Sequence, residues 1–562
     1  MKKKINLPGF IFKSIFSENT TKEEIKRQDD VLEIEFPVFN KSQVLKTAQT
    51  IALKKRRAHD RDIDDVLDFI DQLGSLWRDP FYDLRKEALD VLPMITGQSK
   101  KLIEIELMAT LMLCDKKVAE AQLLGEIGGK KYLEDWIPKG NTRIHAQPRG
   151  LVFHNLAGNA FNLGLLTLYF GLITKNVNLI KLSHGEPYFL IRLCESILDI
   201  DKKIAKEIAA IYWKGSQVDI YNELFNSGYV DCVLAWGGIQ SIEDIRKRAN
   251  RFGIKIIDHG PKLSFSVISD DIFKNRDQMI DAANKIALDL VYWNQKACLS
   301  PRIIYIVEKP QKIDIREING QSLQNLNGEL DDFSQIEKLL HSNGNDIFEN
   351  SDSNNLVTQM QRSMKLLKNE ISDLSTKGFA KLLAEGLKEA DIKLPRSHLT
   401  QADGLQTNKK REYFLTKYAF KKRATLYFPT KEKLDWTVIY LRDLPSMMEV
   451  DMCQDRFVVV TRISNIQELI YSIRKEKLQQ YLQTVSIYGS DDFVKDVSEE
   501  LSLLGANRFP RIGEHNIQSI GMPWDGHYTL QDMIKWVYIA FPDPKAEDDK
   551  SGRIDLMDGV NL

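Results

Sequence analysis

The sequence predicts an α/β protein: two units built on parallel sheets, with a helical region ahead of them. Three observations lead there. Between about 148 and 306, short apolar segments alternate with stretches of helical periodicity, the spacing of βαβ units. Over 60–137, apolar residues recur at three- and four-residue intervals, as in DDVLDFIDQLGSLW and KKLIEIELMATLMLC. The chain has 562 residues, 43% hydrophobic and 28% charged, enough for two or three domains with a deep cleft.

Taken in order, GLVFHNL (150–156) reads as a strand, 160–174 as a helix and NVNLIKLS (176–183) as a second strand. A helix over 186–199 precedes the strand YVDCVLAW, the charged helix SIEDIRKRANRFG and the strand IKIIDH. The pattern repeats with LSFSVIS, a helix through IDAANKIALDLVYW and the strand PRIIYIVE. Residues 341–355, rich in Ser, Asn, Asp and Gly, read as a loop or short disorder, and 357–392 as helical. Strands resume at TLYFPT, WTVIYLRD, RFVVVTRIS and TVSIYGS. The simplest division is 1–262, 263–483 and a segment 484–562 that packs back on the first unit or at an oligomer interface.

Lys and Arg (78) balance Asp and Glu (79), so no global field recruits nucleic acid. The five cysteines form no CxxC pair, which argues against a metal site or a disulfide framework and for reduced thiols in the cytoplasm. Residues 155–174 run twenty positions without a charge, but Asn155, Asn159 and Asn162 crowd one end. Burying those amides in lipid is costly, so the stretch is expected to be a core helix and not a membrane span.

Cys298 lies between a helix and a strand, a junction where a side chain can face a cleft. A helix terminus, or the flanking Lys296 and Arg302, could lower its pKa and make it a nucleophile; an inert buried cysteine is the alternative. Asn159 follows a strand and the small pair Ala157–Gly158, where its amide either stabilises an oxyanion or caps a helix. Lys181, followed by Ser183 and His184, ends a strand where open sheets bind ligands. A lysine there suits a phosphate, including the extra one of NADP, or is simply solvated. Gly237 and Gly238 precede a helix whose N–H groups either meet a pyrophosphate or close a plain turn; no GxGxxG is present.

In this order the elements resemble the aldehyde dehydrogenase superfamily: an asparagine turn at 157–161, a lysine strand at 177–183, a glycine turn at 236–239, IDHGPKLS (257–264) and Cys298. Within it, HGPKLSFSVIS, WNQKACLSPR, YLQTVSIYG, GANRFPRIG and GMPWDGHYTL are similar to the long-chain acyl-CoA reductase family, the fatty-acid reductase of bacterial bioluminescence. The resemblance covers about 145–305 and 450–540. It implies an aldehyde-dehydrogenase-like fold, with a Rossmann-type cofactor domain and a catalytic domain carrying the cysteine. It also implies a homo-oligomer and NADPH held by Lys181, Ser183, Gly237 and Gly238.

Superfamily members that oxidise aldehydes need a glutamate to activate water. Asp258 and His259 stand in that stretch instead, and a reductase does not need the water. The expected chemistry is reduction of a fatty acyl thioester, on CoA or an acyl carrier protein, through an acyl group on Cys298. Asn159 would hold the oxyanion and His259 would handle a proton. Asn294-Gln295-Lys296-Ala297 stands where the superfamily has a Gly-Gln pair, and the late ribose-binding glutamate has no assigned counterpart. An acyl-transferase or synthetase partner fits the same reading. Aldehyde oxidation, acyl-CoA formation and a non-catalytic assembly role are the alternatives. The segment 409–423, with seven basic residues among aromatics, either docks the acyl donor or is a solvated helix face over a buried aromatic stripe.

Overall fold

The structure, a computed structural model, describes residues 2–11, 18–140, 142–307, 373–397, 399–430 and 433–540. The expected loop at 341–355 and the first part of the helical stretch 357–392 lie outside the described residues; Thr376–Lys393 is a helix.

The first large sheet has six strands in the order Lys255–His259, Cys232–Trp236, Leu151–Asn155, Val177–Lys181, Ile208–Ile211 and Phe10–Ile11. The first five are parallel, and Phe10–Ile11 pairs antiparallel at the edge. The central strands Leu151–Asn155, Val177–Lys181 and Cys232–Trp236 are buried at every position, as helices on both faces require. The strand order reverses between Leu151–Asn155 and Cys232–Trp236, and ligands bind such sheets at the carboxyl ends beside the reversal. Asn155, Lys181, Trp236 and His259 are the last residues of their strands.

The second sheet runs Ala424–Tyr427, Thr437–Leu441, Phe457–Ile463, Ile303–Val307, Leu263–Ser269 and Leu482–Tyr488, parallel except at Ala424–Tyr427. Residue 483 is thus the second residue of a strand integral to this sheet. Only Gly260, Pro261 and Lys262 separate the carboxyl end of one sheet from the amino end of the next. That short link brings the two edges face to face. Beyond it, Ile534–Ala540 returns to pair antiparallel with Thr142–Pro148.

The amino-terminal region is helical from Lys41 to Glu134, but strands precede it. Lys2–Asn6, Asp30–Pro37 and Thr20–Arg27 make a small sheet that the helical periodicity downstream did not announce. The uncharged stretch 155–174 resolves into the buried helix Leu163–Ile173. Among the described residues, no helix is long and apolar enough to cross a membrane.

Candidate active site

The helix Arg276–Val291 stops two residues short of its apolar pattern because the chain then takes three consecutive left-handed residues: Trp293 (φ 57°), Asn294 (48°) and Gln295 (60°). Such backbone costs free energy unless the surroundings over-determine it. They do. The Trp293 N–H donates to Glu106 Oε1 at 2.6 Å, and Asn294 Nδ2 donates to the Gly97 carbonyl at 2.9 Å. Arg456 Nε donates to Asn294 Oδ1 at 3.0 Å. Gln295 Nε2 donates to the carbonyls of Pro301 and Phe457, and its Oε1 accepts the Phe457 N–H at 2.8 Å. Asn294 and Gln295 therefore build the turn and do not face the chemistry. This turn presents Cys298, whose carbonyl accepts from Ser264 Oγ at 2.8 Å; the next carbonyl, Leu299, accepts from His515 Nδ1 at 2.7 Å.

Cys298 is half-buried, whereas Cys114, Cys194, Cys232 and Cys453 are buried. Gln483 Nε2 lies 3.6 Å from its Sγ and donates to it, and the same nitrogen donates to Asp525 Oδ1. Asp525 Oδ2 accepts from His259 Nδ1 at 2.6 Å. The His259 ring stacks on Trp236 with centroids 3.9 Å apart, and its Nε2 is buried without a hydrogen-bond partner among the described residues.

The expectation that a helix terminus, Lys296 or Arg302 acidifies the thiol is corrected here. Lys296 pairs with Asp455 at 3.3 Å and Arg302 with Asp451 at 2.6 Å. Burial, followed by the Asp525 charge, pushes the Cys298 thiol up to about 11. The Gln483 N–H, the Lys262 charge and the cysteine's own backbone N–H pull the other way.

Asn159 does not cap the helix that follows. That helix begins at Leu163 after Asn162, and the exposed Asn159 amide instead donates to the Lys296 carbonyl at 3.2 Å, two residues before the sulfur. Asp258 is turned away from the cleft and held by Arg246 at 2.7 Å, so it is not a free base. His259, on the opposite face of the same strand, is the residue tied to the sulfur's surroundings.

Lys181 is buried at the carboxyl edge of the first sheet, over the rings of Tyr212 and Trp213. Among the described residues its ammonium meets no carboxylate; its one hydrogen bond goes to the Leu182 carbonyl at 3.4 Å. Burial alone pushes it down to about 8. Ser183 sits against Gly158, where a Cβ would fall 2.5 Å from the serine oxygen. His184 is drawn off to Glu23 at 3.1 Å. Gly238 starts the helix Ile239–Asn250 without any side-chain cap, and a Cβ there would meet nothing within 4 Å. A buried unpaired lysine and an open helix start fit an anionic dinucleotide. Among the described residues, no three His, Cys, Asp or Glu side chains gather to hold a metal.

In the 409–423 segment, Phe414 and Tyr418 are buried, Arg411 holds the Lys433 and Trp436 carbonyls, and Lys417 pairs with the buried Glu449 at 2.8 Å. Arg423 pairs with Asp443. These are the contacts of a helix over an aromatic stripe. Residue-level reading missed Gln483 and Asp525, although both lie inside blocks that carried the resemblance. A buried glutamine near the start of the strand Leu482–Tyr488, and a carboxylate in a Trp-Asp-Gly turn, were the available signals.

A nucleotide-type parallel sheet joined edge to edge with a second sheet that offers a half-buried cysteine defines an aldehyde-dehydrogenase-like protein. Solved structures agree on the fold. Lactaldehyde dehydrogenase from Escherichia coli superposes with a TM-score of 0.62 at 13% identity, covering 96% of this chain and 100% of that one. An oxidoreductase from Marinobacter aquaeolei gives 0.64 at 12% identity, covering 95% of this chain and 98% of that one. Within that class the chain belongs to the acyl-CoA reductase (LuxC) family, whose model matches residues 58–370 and 365–536, and it is an oxidoreductase. Curated relatives include long-chain acyl-protein thioester reductases from Photorhabdus luminescens and Aliivibrio fischeri. The first is 23% identical over 90% of this chain and 86% of its own length, the second 24% over 92% and 90%.

Proposed function

We propose that this enzyme uses NADPH to reduce a long-chain fatty acyl thioester, carried by CoA or an acyl carrier protein, to the aldehyde through an acyl group on Cys298. The observation that carries the reading is the position of Cys298. It is the half-buried cysteine, at the seam where the carboxyl edge of the first sheet meets the amino edge of the second. The names of the relatives support an acyl donor borne on a protein, and the description of the family supports one borne on CoA.

The Cys298 sulfur attacks the thioester carbonyl carbon, the carbon–sulfur bond to the carrier breaks, and the carrier leaves as its thiol with the proton that Cys298 gives up. NADPH, when bound, supplies the hydride. The Asn159 amide and the Cys298 backbone N–H hold the carbonyl oxygen as it gains charge, each such donor being worth about 2.7–4 kcal/mol. The Cys298–carbon bond then breaks, releasing aldehyde and returning the thiolate. In sum, thioester, NADPH and one proton become aldehyde, carrier thiol and NADP. Lys181, Ser183, Gly237 and Gly238 bind the dinucleotide phosphates and ribose. Asp258, in the stretch where aldehyde oxidisers carry the water-activating glutamate, is committed to Arg246, which favours reduction over aldehyde oxidation, and His259 handles a proton through its Nε2.

Cys298→Ala is expected to abolish both aldehyde formation and the labelled acyl-enzyme formed from radioactive acyl-CoA. Acyl-enzyme surviving in that variant removes the assignment. A homo-oligomer, a cytoplasmic site and an acyl-transferase or synthetase partner belong to the same proposal, and size-exclusion and pull-down of the full chain test the first and last.

A further inference from the structure

Three polar groups meet the sulfur's side of the cleft in a defined order. Gln483, the second residue of Leu482–Tyr488, directs one nitrogen at both Cys298 Sγ and Asp525 Oδ1. Asp525, in a left-handed conformation (φ 53°), sends its other oxygen to His259 Nδ1. Asp525 and His259 are each under one-tenth exposed, and Gln483 is 3% exposed. Trp236 stacks on the imidazole and Trp524 packs edge-on against Trp236 at 6.3 Å, so the group is walled from water.

An amide N–H that donates to sulfur stabilises the thiolate more than the thiol. A carboxylate close by does the opposite, because two like charges in a dry site repel. The same carboxylate is also what holds the amide and the imidazole in place: with Nδ1–H committed to Asp525, Nε2 is the basic nitrogen.

Building on Cys298 as the nucleophile, we propose that Gln483 and Asp525 are paired positioning residues with opposite effects on its sulfur. Gln483 favours the ionised sulfur. Asp525 disfavours it at rest while aiming Gln483 and His259. The resting thiol is thereby kept from adventitious electrophiles, yet has a donor and a base in place when an acyl group arrives. The other charged groups facing this sulfur are Lys262, from the link between the sheets, and Arg508, which follows the helix Asp491–Leu503. Both are cationic and act alike in all variants below.

The test follows alkylation of Cys298 by iodoacetamide across pH in the full-length enzyme, reading the labelled peptide by mass spectrometry, beside steady-state reduction of acyl-CoA. Asp525→Asn should move the alkylation midpoint to lower pH by about one unit, and Gln483→Met should move it to higher pH. Both should lower kcat at least 10-fold while leaving KM for NADPH within 2-fold. Opposite shifts are not what general loosening of the site produces. Midpoints that move the same way, or not at all, overturn the proposal. Should Asp525→Asn fail to melt cooperatively, His259→Phe keeps the ring stack but strips Asp525 of its donor, and the midpoint should rise; an unmoved midpoint overturns it equally. A wild-type Cys298 that is neither alkylated nor acylated at any pH would instead remove the nucleophile itself. Acylation of Cys298 with unshifted variants would leave the nucleophile standing and this proposal refuted.

Discussion

At the scale of single residues, Lys181 carries the most direct consequence. Its ammonium is desolvated and meets no carboxylate among the described residues, so on the proposed function a cofactor phosphate would be its counter-ion. Lys181→Met should raise KM for NADPH roughly 10- to 100-fold, the equivalent of about 1.5–3 kcal/mol for a charge-assisted hydrogen bond. Burial lowers the lysine from its ordinary 10.5 to about 8, so the free enzyme holds the charge below that pH and loses it above. NADPH affinity should therefore be flat at neutral pH and weaken as pH rises through about 8, and titration of Lys181→Met by fluorescence should show no such step. Asp258 makes the contrasting case. Its pair with the half-exposed Arg246 is a surface ion pair worth about 0–1 kcal/mol, so Asp258→Asn should keep reductase activity within about 2-fold. Cys298, Lys181 and His259 could be singled out in the sequence because a cysteine between a helix and a strand, and a lysine or histidine ending a strand, already carry chemical meaning. Gln483 and Asp525 were not: the first touches a sulfur 185 residues away in sequence, the second a histidine 266 residues away.

At the scale of elements, the turn before the cysteine shows where periodicity stops informing. The apolar pattern continues through Tyr292 and Trp293, yet the helix ends at Val291. What ends it is a set of buried partners contributed elsewhere, namely Glu106, Gly97, Arg456 and Phe457. Asn294→Ala leaves the buried Arg456 Nε without that partner, while the Gly97 carbonyl keeps the Ser397 N–H. It should cost about 1–3 kcal/mol for the orphaned donor, read as a lowered urea midpoint. The parallel strands between 151 and 307 were legible because strands buried on both faces are uniformly apolar. The amino-terminal sheet was passed over although Leu32, Ile34 and Phe36 alternate with charged residues in the strand Asp30–Pro37, a period-two signal masked by high charge. Ile208–Ile211 is four residues long and offers no periodicity to read.

At the scale of the whole molecule, the site draws on residues far apart in the chain, from Glu106 behind the cysteine turn to Asp525 beside the sulfur. The return of Ile534–Ala540 to Thr142–Pro148 is equally long-range. Contacts of such separation form slowly, so on dilution from urea the far-ultraviolet dichroism should recover well before reductase activity. The helix Lys116–Ile127 anchors the late segment: Glu126 accepts the Leu530 N–H at 2.7 Å, and its carbonyl accepts from Gln531 Nε2 at 2.6 Å. There Gly125 lies so close to Gly521 that a Cβ on the former would fall 2.8 Å from the latter's Cα. Main chain rests on main chain at that crossing, with no rotamer available to absorb a change. One added methyl must displace the loop that carries Asp525, so the outer helical layer works as a mechanical stop for the loop beside the Cys298 sulfur. Activity in this reductase should then drift through substitutions in the helix Lys116–Ile127, which among the described residues lends no side chain to the group around Cys298.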